Sequence, residues 1–141
     1  MSKYFRPTEA TIDGTMPPQD VCDKLERYHF VMLDRIREMY GAPIRISKGS
    51  GYRSPEHEMA KGRSGTSEHC FRSNGALDLT AGDVPRLLQL LWEQSTYTRI
   101  CHYPNNGFIH CDHKMVAGNK RALYECASPT SEWQLKKYRA K

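Results

Sequence analysis

Two short segments of this chain hold residue types that do metal chemistry. In Ser67-Glu68-His69-Cys70-Phe71-Arg72-Ser73-Asn74-Gly75-Ala76-Leu77-Asp78, a histidine and a carboxylate stand nine positions apart, the carboxylate inside a short alternating run. In Gly107-Phe108-Ile109-His110-Cys111-Asp112-His113, a second histidine and carboxylate are two apart. Side chains alternate across a strand, so parity sorts them. Ala76, Asp78 and Thr80 share one face, and Leu77 and Leu79, which belong in a core, share the other. Phe108, His110 and Asp112 likewise oppose Ile109, Cys111 and His113. If the two strands are neighbours, Asp78 and His110 project together, and His69 just upstream closes the set. Two histidines and one carboxylate, with a water in the fourth position, form a recurring catalytic zinc arrangement. The metal lowers the pKa of that water towards about 7 and polarises a carbonyl. Cys111 has the wrong parity for a ligand, and Cys70 reads as a small buried residue. His29, His57 and His102 read as structural histidines.

The elements that must position these residues can be read from periodicity and punctuation. Apolar Val21, Leu25, Tyr28, Met32, Ile36 and Met39 recur at helical steps, which predicts one amphipathic helix over 19–40, stopped by Gly41 and Pro43. His29 falls on its flank. Alternation predicts a strand over 43–47. Loops follow at 49–54 and 62–67, with a short helix over 55–61 between them. Val84, Leu87, Leu88, Leu91 and Trp92 predict a helix over 84–94. Residues 97–103 and 108–113 read as a hairpin about Pro104-Asn105-Asn106-Gly107. The first 17 residues read as an irregular lead-in, and 131–138 as a last short helix. The expected fold class is α+β: a small antiparallel sheet with helices packed on one side, in one domain over 1–141.

Composition narrows the function classes. The chain has 141 residues, 38% hydrophobic and 26% charged, an ordinary globular balance. No apolar run approaches the roughly 18–20 residues that span a bilayer. The start, with Lys3 and Arg6 but no apolar stretch behind them, does not read as a secretory signal. Net charge is +5, which suits an anionic partner such as an acidic wall polymer. The basic residues are scattered and the densest cluster, at 136–141, reads as a solvated tail, so no specific nucleic-acid partner is expected. Five cysteines at irregular spacing, with no C-x-x-C pair, point to reduced thiols and synthesis in the cytoplasm.

Taken together, Ser50-Gly51-Tyr52-Arg53-Ser54, Ser67-x-His69, Ala76-x-Asp78 and Phe108-Ile109-His110-Cys111-Asp112 resemble the zinc D-alanyl-D-alanine carboxypeptidases. That family includes phage endolysin peptidases and shares its fold with the hedgehog signalling domain. The resemblance covers about residues 43–113. It implies a zinc peptidase acting on the stem peptide or cross-link of peptidoglycan, with Zn2+ on His69, Asp78 and His110. It further implies Arg53 as the group that stabilises the substrate oxyanion and Ser67 as a substrate-placing residue. A fixed guanidinium aimed at developing negative charge is sound transition-state chemistry.

This chain departs from the family pattern in places. The His69–Asp78 spacing is two residues longer than usual, which implies an insertion near Arg72-Ser73 lying over or beside the metal, and Gly75 comes one position late. Where many members carry an acid three residues before the last zinc histidine, Gly107 stands here, and Phe108 stands where others have a histidine. The closest subgroup reads Phe-x-His-x-Asp. Asp112 is then the first candidate for proton transfer, or equally a partner that orients a ligand; His102 and Glu68 come behind it. The expected protein is a monomeric, leaderless wall-lysis enzyme of a phage or prophage, released through a holin-like pore or carried in a virion. The rival expectation is a metal-binding module of the same fold that has lost its base.

Overall fold

The computed structural model describes residues 1–47, 51–62 and 67–140, with the side chain of Ala140 left aside. The loops expected at 49–54 and 62–67 fall partly on 48–50 and 63–66, outside the described residues. The fold is α+β, as expected: a mostly antiparallel six-stranded sheet with helices against one face.

The long apolar stripe does form a helical rod, but not a uniform one. α1 (Gln19–Leu25) passes through a π turn (Glu26–Phe30) into α2 (Val31–Tyr40). A π turn takes up an extra residue and rotates the stripe that follows. That turns His29 and Phe30 into the core, with Leu33, Ile36 and Tyr40 behind them, and swings Met39 out to solvent. The 3.6-residue period cannot announce such a step, so His29 reads as a flank residue in the sequence and is fully buried in the fold. Gly41 ends the rod at φ 78°, its N–H donating to the Arg37 carbonyl.

β1 (Ile44–Ile46) is the edge strand and pairs with β2 (Ala76–Ala81). α3 (Pro55–Ala60) lies between them in sequence and is capped by the Ser54 side chain. α4 (Val84–Gln94), capped by Asp83, presents Leu87 and Leu91 to the sheet. β3 (Arg99–Tyr103) and β4 (Phe108–Asp112) form the expected hairpin, and β4 rather than β3 lies beside β2. β5 (Lys120–Glu125) then runs parallel to β3, and β6 (Gln134–Ala140) returns antiparallel to β5 as the far edge.

That last pair corrects the sequence reading, in which 131–138 is a short helix. Gln134 to Arg139 are all exposed, so no apolar stripe arbitrates, and pairing with β5 decides the conformation. Lys136, Lys137 and Arg139 on an open edge also discourage further strand pairing. β5 is tied to the helix layer by Arg121. Although buried, it donates to the carbonyls of Tyr97 and Trp92 at 2.7 Å each and so closes the C-terminal end of α4.

The core lies between the rod, α4 and one sheet face, where Leu77, Leu79, Ile100, Ile109 and Cys111 meet Leu25, Phe30, Leu33, Ile36, Leu87 and Leu91. The lead-in is less free than its sequence suggests. Phe5 stacks on Phe30 at 5.5 Å, and Asp34 accepts hydrogen bonds from the Ser2 hydroxyl and the Lys3 and Tyr4 amides. Its short 3-10 turn, Pro7–Ala10, packs under Gly51, where any Cβ would lie 2.4 Å from the Ala10 carbonyl oxygen. The other sheet face carries the candidate site.

Candidate metal centre

Register brings the two ligand-bearing strands into direct opposition. Asp78 on β2 faces His110 on β4, and Ala76 faces Asp112. His69 arrives from a short 3-10 turn, Glu68–Cys70, whose first amides would otherwise be orphaned; Ser67 Oγ accepts from the His69 amide. Asp78 Oδ1 lies 3.0 Å from His110 Nδ1 and 3.5 Å from His69 Nε2, and those two nitrogens are 3.3 Å apart. The three ligand atoms all fall within 4.8 Å of one another, and all three residues are buried.

The far side of each imidazole fixes where its proton sits. His69 Nδ1 is 2.8 Å from the Gly51 carbonyl, to which it donates. His110 Nε2 is 2.7 Å from Asp112 Oδ2 and donates there. In these tautomers both inward nitrogens present lone pairs, and the atom between them is a carboxylate oxygen. With both imidazoles neutral, three electron-pair donors converge with no hydrogen to share, which is a fit for a cation. Burial alone would raise the Asp78 carboxyl, yet in the metal-free site the His110 and His69 imidazoles beside it hold it below the usual carboxylate range. For His110, burial opposes the charged form, but the Asp112 and Asp78 carboxylates outweigh it and lift its pKa to about 9. Without a metal, a proton on His110 takes the place of the cation.

Asp112 stands behind His110 instead of on the open side of the site. It is fully buried, and both oxygens are engaged: Oδ1 accepts from Arg99 Nε at 2.9 Å and from the Lys114 amide at 2.9 Å, and Oδ2 accepts from His110 and Arg99. Burial would raise its carboxyl; His110 and Arg99 hold it low. Both oxygens are thus occupied on the side of His110 away from Asp78, a geometry that suits the second of the two roles its position in the sequence allows. His102 pairs with Ile109 and so belongs to the helix side of the sheet, away from the ligands. Glu68 is half-buried in the turn beside His69, and its charge reaches Arg99.

Arg53 is bound into the same locality. Its amide donates to the His69 carbonyl at 2.8 Å, and its Nε lies 3.3 Å from Glu58 Oε1, an ion pair without hydrogen-bond alignment. Ser67 is exposed, and a hydroxyl that accepts from an amide keeps its own proton to donate outward.

The insertion between His69 and Asp78 is pinned to the helix layer on either side of Arg72-Ser73. Phe71 adopts φ 55° and drops its ring into the core, where it fills the space a side chain at Gly75 would need. Lys24 Nζ donates to the Phe71 carbonyl at 2.7 Å, and His29 Nε2–H donates to the Asn74 carbonyl at 2.9 Å while Nδ1 accepts from the Tyr97 hydroxyl. The segment carrying the extra residues is thus anchored on the helix layer at both its ends. Gly75 coming one place late is explained by the same packing, since φ 86° over an aromatic ring suits glycine alone.

Glu58, Arg99 and Trp133 are missing from the residues that sequence alone singles out. Arg99 carries a usable signal: counting back from the hairpin turn pairs Tyr103 with Phe108 and therefore Arg99 with Asp112, the register observed. Glu58 and Trp133 carry none, because each reaches the site through tertiary packing.

Residues 4–112 match a family model described as Peptidase M15. No curated protein and no solved structure matches the chain.

Proposed function

Because the chain belongs to the Peptidase M15 family, we propose that it is a zinc metallopeptidase that hydrolyses a peptide bond in the stem peptide or cross-link of peptidoglycan. The observation that carries the zinc reading is the convergence of His69 Nε2, Asp78 Oδ1 and His110 Nδ1, with the outer nitrogen of each imidazole hydrogen-bonded to an acceptor. Zinc held there supplies Lewis acidity, both to acidify a water to near-neutral pKa and to polarise a peptide carbonyl.

The chain's own residues supply the rest of the reading. The Gly51 carbonyl and Asp112 hold the two imidazoles in ligating tautomers. Arg53, steadied by Glu58 and by the hydrogen bond its amide donates to the His69 carbonyl, stabilises the oxyanion as charge develops on the substrate carbonyl. Ser67 donates its free hydroxyl proton to the substrate backbone. Asp112 acts through His110, leaving Glu68 as the group that accepts the proton and returns it to the leaving amine. A wall-lysis role for a phage or prophage product, released through a holin-like pore or carried in a virion, belongs to the same proposal, and the +5 charge suits an anionic wall.

The test is incubation of the zinc-loaded protein with defined muropeptides, with products weighed by mass spectrometry. Cleavage at one amide, lost on chelation and restored by zinc, is the expected result. Intact muropeptides with zinc still bound would instead identify a non-catalytic metal module. Glu68→Gln should lower turnover while leaving zinc content unchanged.

A further inference from the structure

Trp133 lies well beyond the residues that match the family model, just before β6, yet it reaches the metal centre. Its indole meets the His110 imidazole edge-on, with ring centroids 5.2 Å apart. The Arg99 guanidinium lies over the same indole, 4.7 Å from its centroid. The indole N–H donates to the Tyr103 hydroxyl at 2.7 Å, and Tyr124 packs against the ring at 5.1 Å. One ring therefore touches a ligand and also the arginine that holds that ligand's carboxylate partner. Its hydrogen bond to Tyr103 sets its rotation, and β5–β6 pairing sets its position.

We propose that Trp133 is a positioning residue for the metal ligand His110. The ring covers the Arg99–Asp112–His110 chain on the side where no strand covers it. Arg99 and His110 keep only 21% and 10% of their side-chain surface in water. A guanidinium held between a carboxylate and an aromatic face has little rotamer freedom, so Asp112 is presented to His110 Nε2 in one orientation. Groups one step out from a metal set the basicity and aim of its ligands, and losing one typically weakens metal binding about 10- to 100-fold. The C-terminal strand pair thus completes the metal centre. The inference rests on the reading of His69, Asp78 and His110 as a metal site and is independent of the substrate.

Zinc affinity, measured by competition with a chromophoric chelator, tests it in wild type, Trp133→Phe and Trp133→Leu. Trp133→Leu keeps apolar bulk but has no ring, and should bind zinc at least about tenfold more weakly. Trp133→Phe keeps a face for Arg99 and an edge for His110, and should stay within a few-fold of wild type. The cobalt-substituted proteins should follow the same order, with ligand-field bands shifted in Trp133→Leu and near wild type in Trp133→Phe. In a Trp92→Phe background, emission from Trp133 should fall in step with cobalt binding. Wild-type zinc affinity and cobalt bands in Trp133→Leu would overturn the proposal, as would Trp133 emission indifferent to cobalt. Failure of the wild type to cleave muropeptides would leave these readouts untouched. Failure of the wild type to bind zinc at all would sink the metal-site reading and this inference together.

Discussion

A histidine is a defined metal ligand only when something decides which nitrogen carries the proton. Here a backbone carbonyl decides for His69 and a carboxylate decides for His110. The two are not equivalent. Gly51 offers a neutral acceptor held by the packing of Ala10, whereas Asp112 offers a charge that is itself neutralised by Arg99. His110 is therefore the ligand whose aim is more easily disturbed from a distance. Asp112→Asn separates the two roles that its place in the sequence allows. If it orients His110, the substitution should weaken zinc about 10- to 100-fold in a chelator competition, with activity restored by excess zinc. An unchanged zinc affinity with collapsed turnover would return Asp112 to the role of proton acceptor.

At the scale of elements, the segment joining His69 to Asp78 is held from several sides. Gly75→Ala places a Cβ 2.2 Å from the Phe71 ring at φ 86°, so it should cost more than about 2 kcal/mol in urea unfolding of the metal-free protein. A variant with unchanged stability would mean that Phe71 has room to retreat. This segment also marks the limit of what the chain discloses before it folds. Strand parity placed Asp78 and His110 correctly because each strand has one apolar face and one chemical face, and the core leaves only one register. The π turn in the rod, the β6 edge strand and the indole before it were illegible. None depends on a local pattern. The first is a rotation of an otherwise regular stripe, the second is a hydrogen-bonding choice with no burial behind it, and the third is a contact between residues 23 apart in sequence, His110 and Trp133.

For the whole molecule, the helix layer and the site are linked through His29. This imidazole is fully buried between Tyr97 and the Asn74 carbonyl, and burial pushes its pKa down to about 3 from an ordinary 6.5. The folded chain therefore refuses a proton that the unfolded chain accepts, so between pH 6.5 and 3 stability must fall as pH falls. From pH 6.5 to 5 this one group should account for about 2 kcal/mol. Urea midpoints for wild type and His29→Gln, taken across that range, should converge as the pH drops; parallel curves would show that His29 titrates normally. No helix among the described residues is long and apolar enough to cross a membrane.

The donor set has one more consequence, in the choice among cations. Calcium seeks six to eight oxygens and magnesium a nearly regular octahedron of them, mostly water. Two imidazole nitrogens in fixed tautomers and a single carboxylate offer neither, while they suit the borderline ions of the later first transition row. In the proposed zinc site, discrimination against the abundant hard divalents would reside in the Gly51 carbonyl and Asp112, the acceptors that hold the outer nitrogen of each imidazole and so turn the other nitrogen inward.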